Sequence, residues 1–181
     1  MPEPQKTALI TGAAKRLGRA AALKLASAGW SIALHYNSSR AEADETAEAV
    51  RRLGVRASLI QADLNREDHT RHLIARANEA MGPLTALVNN ASVFENDGIE
   101  NATRASWDRH METNLRAPFL LSQQFAQALS PDAEGAIVNL LDQRVLAPSP
   151  DHLSYGVSRA GLHWLTSTLA QALAPRDRKS T

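Results

Sequence analysis

No cysteine occurs among the 181 residues, which excludes a disulfide framework, a zinc–thiolate site and a cysteine nucleophile. Long apolar runs are missing too, none approaching the roughly 18 residues of a membrane span. The start, Met1-Pro2-Glu3-Pro4-Gln5-Lys6, has neither the basic stretch nor the apolar stretch of a secretion signal. Charge of one sign is also lacking. Twenty Lys and Arg against 19 Asp and Glu leave a formal +1, too little to gather nucleic acid or an anionic membrane. Internal repeats, low-complexity tracts and interdomain linkers are absent. His110, His152 and His163 have no metal-ligand spacing with the acids, so no metal is expected. What remains reads as a soluble cytoplasmic globular domain. Its 44% hydrophobic content is enough for a core at single-domain length.

What is present is an alternation. Short apolar runs rich in branched side chains occur at residues 7–10, 31–36, 55–61, 85–88 and 135–141, each the length of a buried strand. Between and after them, stretches with apolar positions at helical spacing cover residues 17–28, 40–53, 67–81, 107–129 and 155–173. Gly29, Gly54 and Gly82-Pro83 stand where the first three of these helices should stop. Pro118 marks either a kink or a first-turn position, so the fourth stretch holds one helix or two. Strand followed by helix, repeated five times, predicts an α/β fold: a Rossmann-like doubly wound parallel sheet with helices on both faces. Ligands of such sheets sit beyond the carboxyl ends of the strands. The residues just after each strand are therefore the candidates.

After the first strand comes Thr11-Gly12-Ala13-Ala14-Lys15-Arg16-Leu17-Gly18. Glycine at the turn allows positive φ, and small residues let backbone amides approach a pyrophosphate at the helix start. The spacing fits G-x-G-x-x-G poorly and leaves a plain turn open, although Lys15-Arg16 favours an anion site. After the second strand, Asn37-Ser38-Ser39-Arg40 stands where an NAD-preferring site carries an acid, roughly 20 residues on. Hydroxyls and an arginine suit a ribose 2′-phosphate, while Ser39 also suits a helix cap. NADP(H) is expected over NAD(H). Asp63-Leu64 follows the third strand, where Asp63 suits an adenine edge or a helix start. Asn89-Asn90-Ala91-Ser92 follows the fourth and is also compatible with a simple turn.

Asp142 follows the fifth strand, and Tyr155 comes thirteen positions later with Arg159 one helical turn beyond it. A phenol of pKa about 10 is a poor acid near neutrality unless a cation favours its phenolate. Tyr155 is thus the candidate proton donor and Arg159 its cation. An amphipathic tyrosine at a helix end is the plainer alternative.

Taken together, Thr11-Gly12 with Gly18, Asp63, Asn89-Asn90-Ala91, Asn114 and Tyr155-Gly156-Val157-Ser158-Arg159 resemble the short-chain dehydrogenase/reductase family, in order, over nearly the whole chain. Arg16 in the glycine loop, His35-Tyr36-Asn37-Ser38-Ser39-Arg40, Ser92, Phe94 and Asp142 in place of the family's serine look like the pteridine reductases and the related dihydrofolate/dihydromonapterin reductases. The resemblance implies a single NADP-binding domain over residues 1–181. It implies that NADP(H) is held by Gly12, Lys15, Arg16, Leu17, Gly18, Tyr36, Asn37, Ser38, Ser39, Arg40, Asp63, Leu64, Asn90, Ala91, Ser92, Tyr155 and Arg159, with Lys15, Arg16, Ser38, Ser39 and Arg40 on the phosphates. A pterin-like substrate would meet Arg16, Ser92, Phe94, Asp142 and Tyr155, with Phe94 stacking on its ring. Asp142, Tyr155, Arg159 and Asn114 would be catalytic. In that scheme Asp142 and Tyr155 manage protons while NADPH gives hydride to a C=N bond, and Asn114 supports a water-linked proton path. A homo-oligomer is implied as well.

Two departures from the family bear on activity. Arg159 stands where the family has lysine; it keeps the charge on a longer, planar fork, so impaired catalysis is expected. The family continues past the last helix into a sixth strand, a covering loop and a seventh strand, whereas here Arg176-Asp177-Arg178-Lys179-Ser180-Thr181 is polar. The last two strands and the substrate cover are expected to be missing, leaving the fifth strand an open edge. Two other readings follow: a catalytically silent, truncated nucleotide-binding or interaction protein, and a 3-ketoacyl-type carbonyl reductase, which would carry serine at position 142.

Overall fold

Five strands, β1 Thr7–Ile10, β2 Ser31–Tyr36, β3 Ala57–Gln61, β4 Ala86–Asn89 and β5 Ala136–Asn139, form one sheet in the order β3-β2-β1-β4-β5 with every pairing parallel. The structure, a computed structural model, describes residues 6–174; the polar stretch 176–181 lies outside the described residues. The period-two alternation of the strands sorts their side chains onto two faces. Leu9, Ala33 and Leu87 pack with Leu73, Ile74, Met81, Leu121 and Phe125. Ala8, Ile10, Ile32, Leu34 and Val88 pack with Ala22, Ala26, Ala47 and Val50. The second face is covered by α1 Arg16–Ser27 and α2 Arg40–Arg51, the first by α4 Leu73–Met81 and α6 Ala117–Ala128. The doubly wound parallel architecture is therefore as the sequence predicts. The chain winds outward from β1 through β2 to β3, then returns to place β4 on the other side of β1. The ligand crevice of such a sheet lies at that reversal.

Several boundaries differ from the expectation. Residues 67–81 form two helices, α3 Glu67–Arg71 and α4, separated by His72 at φ −101°, ψ −3°. The helix expected at 107–129 starts earlier, as α5 Arg104–Met111, because Thr103 and Ser106 form a reciprocal capping box. It then passes through a π-helical turn, Glu112–Arg116, into α6. Pro118 is the second residue of α6, so its missing N–H falls just after the widened turn, where a regular i→i−4 bond is already given up. The last helix, α7 Leu153–Leu173, begins two residues before Tyr155 and places that residue in its first turn. β5 pairs only with β4 among the described residues, and Val138 on it is half exposed. No helix among the described residues is long and apolar enough to cross a membrane.

Candidate active site

The turn after β1 is built from backbone groups. Gly12 takes φ +63°, a left-handed conformation that glycine adopts without penalty. A Cβ on Gly12 would stand 3.0 Å from Ala91 Cα, and one on Gly18 would stand 2.1 Å from the Gly12 carbonyl oxygen. The turn thus lies directly against the segment after β4. Asn90 ties the two together, donating through Nδ2 to the carbonyls of Thr11 (2.8 Å) and Gly12 (3.1 Å). The Thr11 hydroxyl accepts the N–H groups of Asn90 and Ala91, both at 3.0 Å.

His35, which the sequence reading left without a role, is the other anchor. Its Nδ1 accepts the Gly12 N–H at 3.0 Å, and its Nε2 faces the Ala62 carbonyl at 3.1 Å. The acceptor role of Nδ1 places the ring proton on Nε2. Burial lowers its pKa from 6.5 to about 4, so the ring stays neutral. The signal that could have found it is a titratable ring within a buried strand, directly after the apolar run Ile32-Ala33-Leu34.

Between the glycine turn and the ends of β2, β3 and β4 opens a cavity of about 590 Å³. Gly12, Lys15, Arg16, Leu17, Gly18, Asn37, Asp63, Leu64, Asn90, Ala91 and Ser92 line it, joined by His35, Asn65, Val93, Arg109 and Thr113. Tyr36, Ser38, Ser39 and Arg40 do not line it. Tyr36 is buried with Ala14 and Ala43, and its hydroxyl accepts from Arg40 Nη1 at 3.1 Å. Arg40 also donates to Asp44 at 2.8 Å. Ser39 stands at the N-cap of α2, but its hydroxyl makes no capping bond, so the expected side-chain cap is not formed. Asp63 turns its own loop by accepting the Asn65 N–H at 3.0 Å, and it reaches the cavity as well. Arg16 is at φ +53°, a strained region for a residue with a Cβ.

Phe94, Asp142, Tyr155 and Arg159 are not among the residues lining that cavity; they form a separate cluster of side chains after β4 and β5 and at the start of α7. Tyr155 is buried at 4% exposure. Phe94 meets it edge-on at 4.7 Å, and the guanidinium carbon of Arg159 lies 5.2 Å from its ring centre. Arg159 Nη1 donates to the Leu140 carbonyl at 3.3 Å, while its buried Nε has no partner. Asp142, entering a short 3-10 turn, accepts the Arg144 N–H at 2.9 Å. That bond, with help from the Tyr155 phenol and the charges of Arg144 and Arg159, holds the carboxyl below its usual range although burial opposes it. Asp142 is thus an anion beside the phenol. Phe94 stacks on His152 at 4.4 Å and lies 5.1 Å from the Arg144 guanidinium carbon. Asn114, in the π-helical turn and fully buried, accepts the Val93 N–H (2.8 Å) and donates to the Val93 carbonyl (2.9 Å) and Ser158 Oγ (3.2 Å). Its amide ties the Phe94 loop to α7. Arg144 escaped the sequence reading because nothing in its spacing marks it.

The glycine turn at the switch point of a parallel sheet, with a cavity over the strand ends, defines a dinucleotide-binding α/β domain. The chain belongs to the short-chain dehydrogenase family, whose model matches residues 6–177. Alternative dihydrofolate reductase 1 of Brucella canis, solved with NADP, is 40% identical and superposes with a TM-score of 0.90 over 94% of this chain and 69% of that one. The landomycin C-6 ketoreductase, solved with NADP and rabelomycin, is 32% identical with a TM-score of 0.87 over 94% of this chain and 71% of that one. The 3-oxoacyl-[acyl-carrier-protein] reductase of Staphylococcus epidermidis is 32% identical over 171 residues, 94% of this chain and 70% of that protein.

Proposed function

We propose that this protein is an NADPH-dependent reductase of a pterin- or dihydropterin-like substrate. The observation that carries the reading is the ionised Asp142 beside the Tyr155 phenol and the Phe94 ring, with Arg16 on the cofactor side. A carboxylate here accepts N–H groups, which a flat amino-substituted heterocycle offers and a simple ketone lacks. The dihydrofolate reductase from Brucella, 40% identical, supports the same branch.

The cavity suits a dinucleotide. The glycine turn leaves room where any Cβ would intrude, and Lys15 and Arg16 line the anion end, with Arg40 and the hydroxyls of Ser38 and Ser39 on the neighbouring loop. Bound there, NADPH supplies hydride to the carbon of a C=N bond. The Tyr155 hydroxyl gives the proton that the nitrogen takes up. Arg159, over the ring, stabilises the phenolate left behind, and Asp142 orients both phenol and substrate. Asn114 keeps the Phe94 loop in place. The same reading has the protein act in the cytoplasm as a homo-oligomer, packing through α6 and α7, where Phe119, Val157 and Trp164 are exposed.

The test is NADPH oxidation with a dihydropterin, run beside an NADPH binding titration and a 3-oxoacyl substrate as comparator. Turnover of the dihydropterin that Tyr155→Phe lowers by about 10²- to 10⁴-fold, with NADPH binding kept, is the expected result. Binding without turnover replaces this reading by a silent nucleotide-binding protein. Preference for the oxoacyl substrate replaces it by a carbonyl reductase.

A further inference from the structure

Behind the cluster of Phe94, His152 and Tyr155 runs a polar chain that none of these roles uses. Asp97, His110 and Ser154 are 3%, 0% and 0% exposed. Asp97 accepts the Ser154 N–H at 3.0 Å, the Ser106 hydroxyl at 3.0 Å and the Ser154 hydroxyl. Ser154 Oγ lies 2.7 Å from His110 Nδ1, and His110 Nε2 accepts the Glu95 N–H at 3.2 Å.

These contacts fix where each proton sits. Nε2 of His110 faces a backbone donor and is bare, so the neutral ring carries its proton on Nδ1 and donates it to Ser154. The Ser154 proton then points to Asp97. Burial opposes charge on Asp97, yet the bonds from Ser154 and Ser106 outweigh it and hold the carboxyl below its usual range. Serine stands between histidine and aspartate and is wholly enclosed, so the set is no hydrolytic triad. Its ends are placed differently: Glu95 is the neighbour of Phe94, Ser154 is the neighbour of Tyr155, and the His110 ring is 6.0 Å from the Tyr155 ring centre. Backbone bonds Leu153 N–H to the Asp97 carbonyl (2.9 Å) and Asp97 N–H to the Asp151 carbonyl (3.1 Å) run alongside.

We propose that Asp97, Ser154 and His110 are positioning residues, a one-way hydrogen-bond chain that holds the substrate-facing Phe94 loop against the proton-donating Tyr155. The proposal rests on the reductase reading for its kinetic arm only. Ser154→Ala removes the link while keeping the N–H to Asp97. Asp97→Asn reverses it: the new amide donates to Ser154, whose hydroxyl turns to His110 Nδ1 and drives the ring proton to Nε2, against the Glu95 N–H.

The experiment is nitrogen-15 NMR of the histidine rings together with the Phe94–Tyr155 ring-to-ring nuclear Overhauser contact, in wild type and both variants. Steady-state kinetics and NADPH titration accompany it. The wild type should show His110 protonated on Nδ1, and Asp97→Asn should shift the proton or release the ring. Ser154→Ala should lose the ring contact and lower kcat by about ten- to a hundredfold, as a misplacement near 1 Å does. Its NADPH Kd should stay within about twofold, since none of the three residues lines the cofactor cavity. A wild-type His110 with its proton on Nε2, or a ring contact and kcat unchanged in both variants, overturns the proposal. Wild-type protein inert towards dihydropterins sinks the reductase reading alone, and the tautomer and ring contact then decide the proposal.

Discussion

At the glycine turn the walls of the crevice are backbone: Gly12, Gly18, the carbonyl of Thr11 and the amides of Asn90 and Ala91. Around Tyr155 the structure is built from side chains instead, with Phe94, Asp142 and Arg159 beside it and the buried His110 and Asn114 behind, each held by named partners. A dinucleotide's phosphates are common to every member of a family, and a turn without Cβ atoms at a helix start suffices to let them approach. The proposed reaction needs particular groups at particular atoms, and the cluster around Tyr155 is built from side chains. The two ends should therefore fail separately.

The largest separation is expected from Gly18→Ala. Its Cβ would stand 2.1 Å from a backbone carbonyl and 2.7 Å from Asn90 Nδ2, and backbone cannot step aside as a side-chain tip does. Overpacking of this kind costs about 1–3 kcal/mol or more, roughly ten- to a hundredfold in NADPH affinity if the turn alone is displaced. A binding titration measures it. The His110 ring signals should stay as in wild type; their loss would show that the two ends are one unit.

His35 gives the next effect, and it is read in pH. Its folded pKa of about 4 lies below the ordinary 6.5 because burial disfavours the charged ring. Above pH 6.5 folded and unfolded chains are both neutral and its contribution is whole. As pH falls from 6.5 towards 4 only the unfolded chain takes up the proton, and stability declines by up to about 3 kcal/mol. Urea unfolding at steps between these values should show that slope, and His35→Gln should flatten it. A slope unchanged by the substitution would place the titrating group elsewhere.

Arg16 sharpens the comparison from within the cofactor end. Its φ of +53° suits glycine and disfavours a residue with a Cβ by about 1 kcal/mol. If the guanidinium serves the 2′-phosphate, Arg16→Gly should leave the melting temperature level or slightly raised and cut the preference for NADPH over NADH about tenfold, the value of one charge-assisted hydrogen bond. Parallel titrations with the two cofactors measure it. An unchanged preference would remove Arg16 from phosphate recognition.

How much was legible in the sequence divides along the same line. The five strands, the glycine turn and the residues just after β1, β3 and β4 follow from local periodicity, which one stretch of chain carries alone. So does the pairing of Tyr155 with Arg159 by a single helical turn. His35, Arg144 and the chain from Asp97 through Ser154 to His110 were not legible in role, because each is defined by partners distant in the sequence, such as Ser154 and His110 across 44 residues. The break at His72 and the π-helical turn were missed for a related reason. Apolar spacing reports which face is buried, not whether each turn closes on its fourth residue or its fifth.

Arg159→Lys carries the smallest expected effect and tests the reaction end directly. Arg159 as a residue is 5% exposed, its Nε is buried without a partner, and its bond to the Leu140 carbonyl is long at 3.3 Å. A buried donor left unpaired costs about 1–3 kcal/mol. Lysine offers the same charge as a compact ammonium whose three donors rotate freely, so it relieves that penalty and still faces Tyr155. The variant should melt slightly higher and show kcat raised several-fold, with NADPH Kd little changed. Arg159→Gln, which removes the charge, should lower kcat instead. If Lys and Gln lower it alike, the planar fork itself is what Tyr155 requires, and the reaction end has been refitted around arginine.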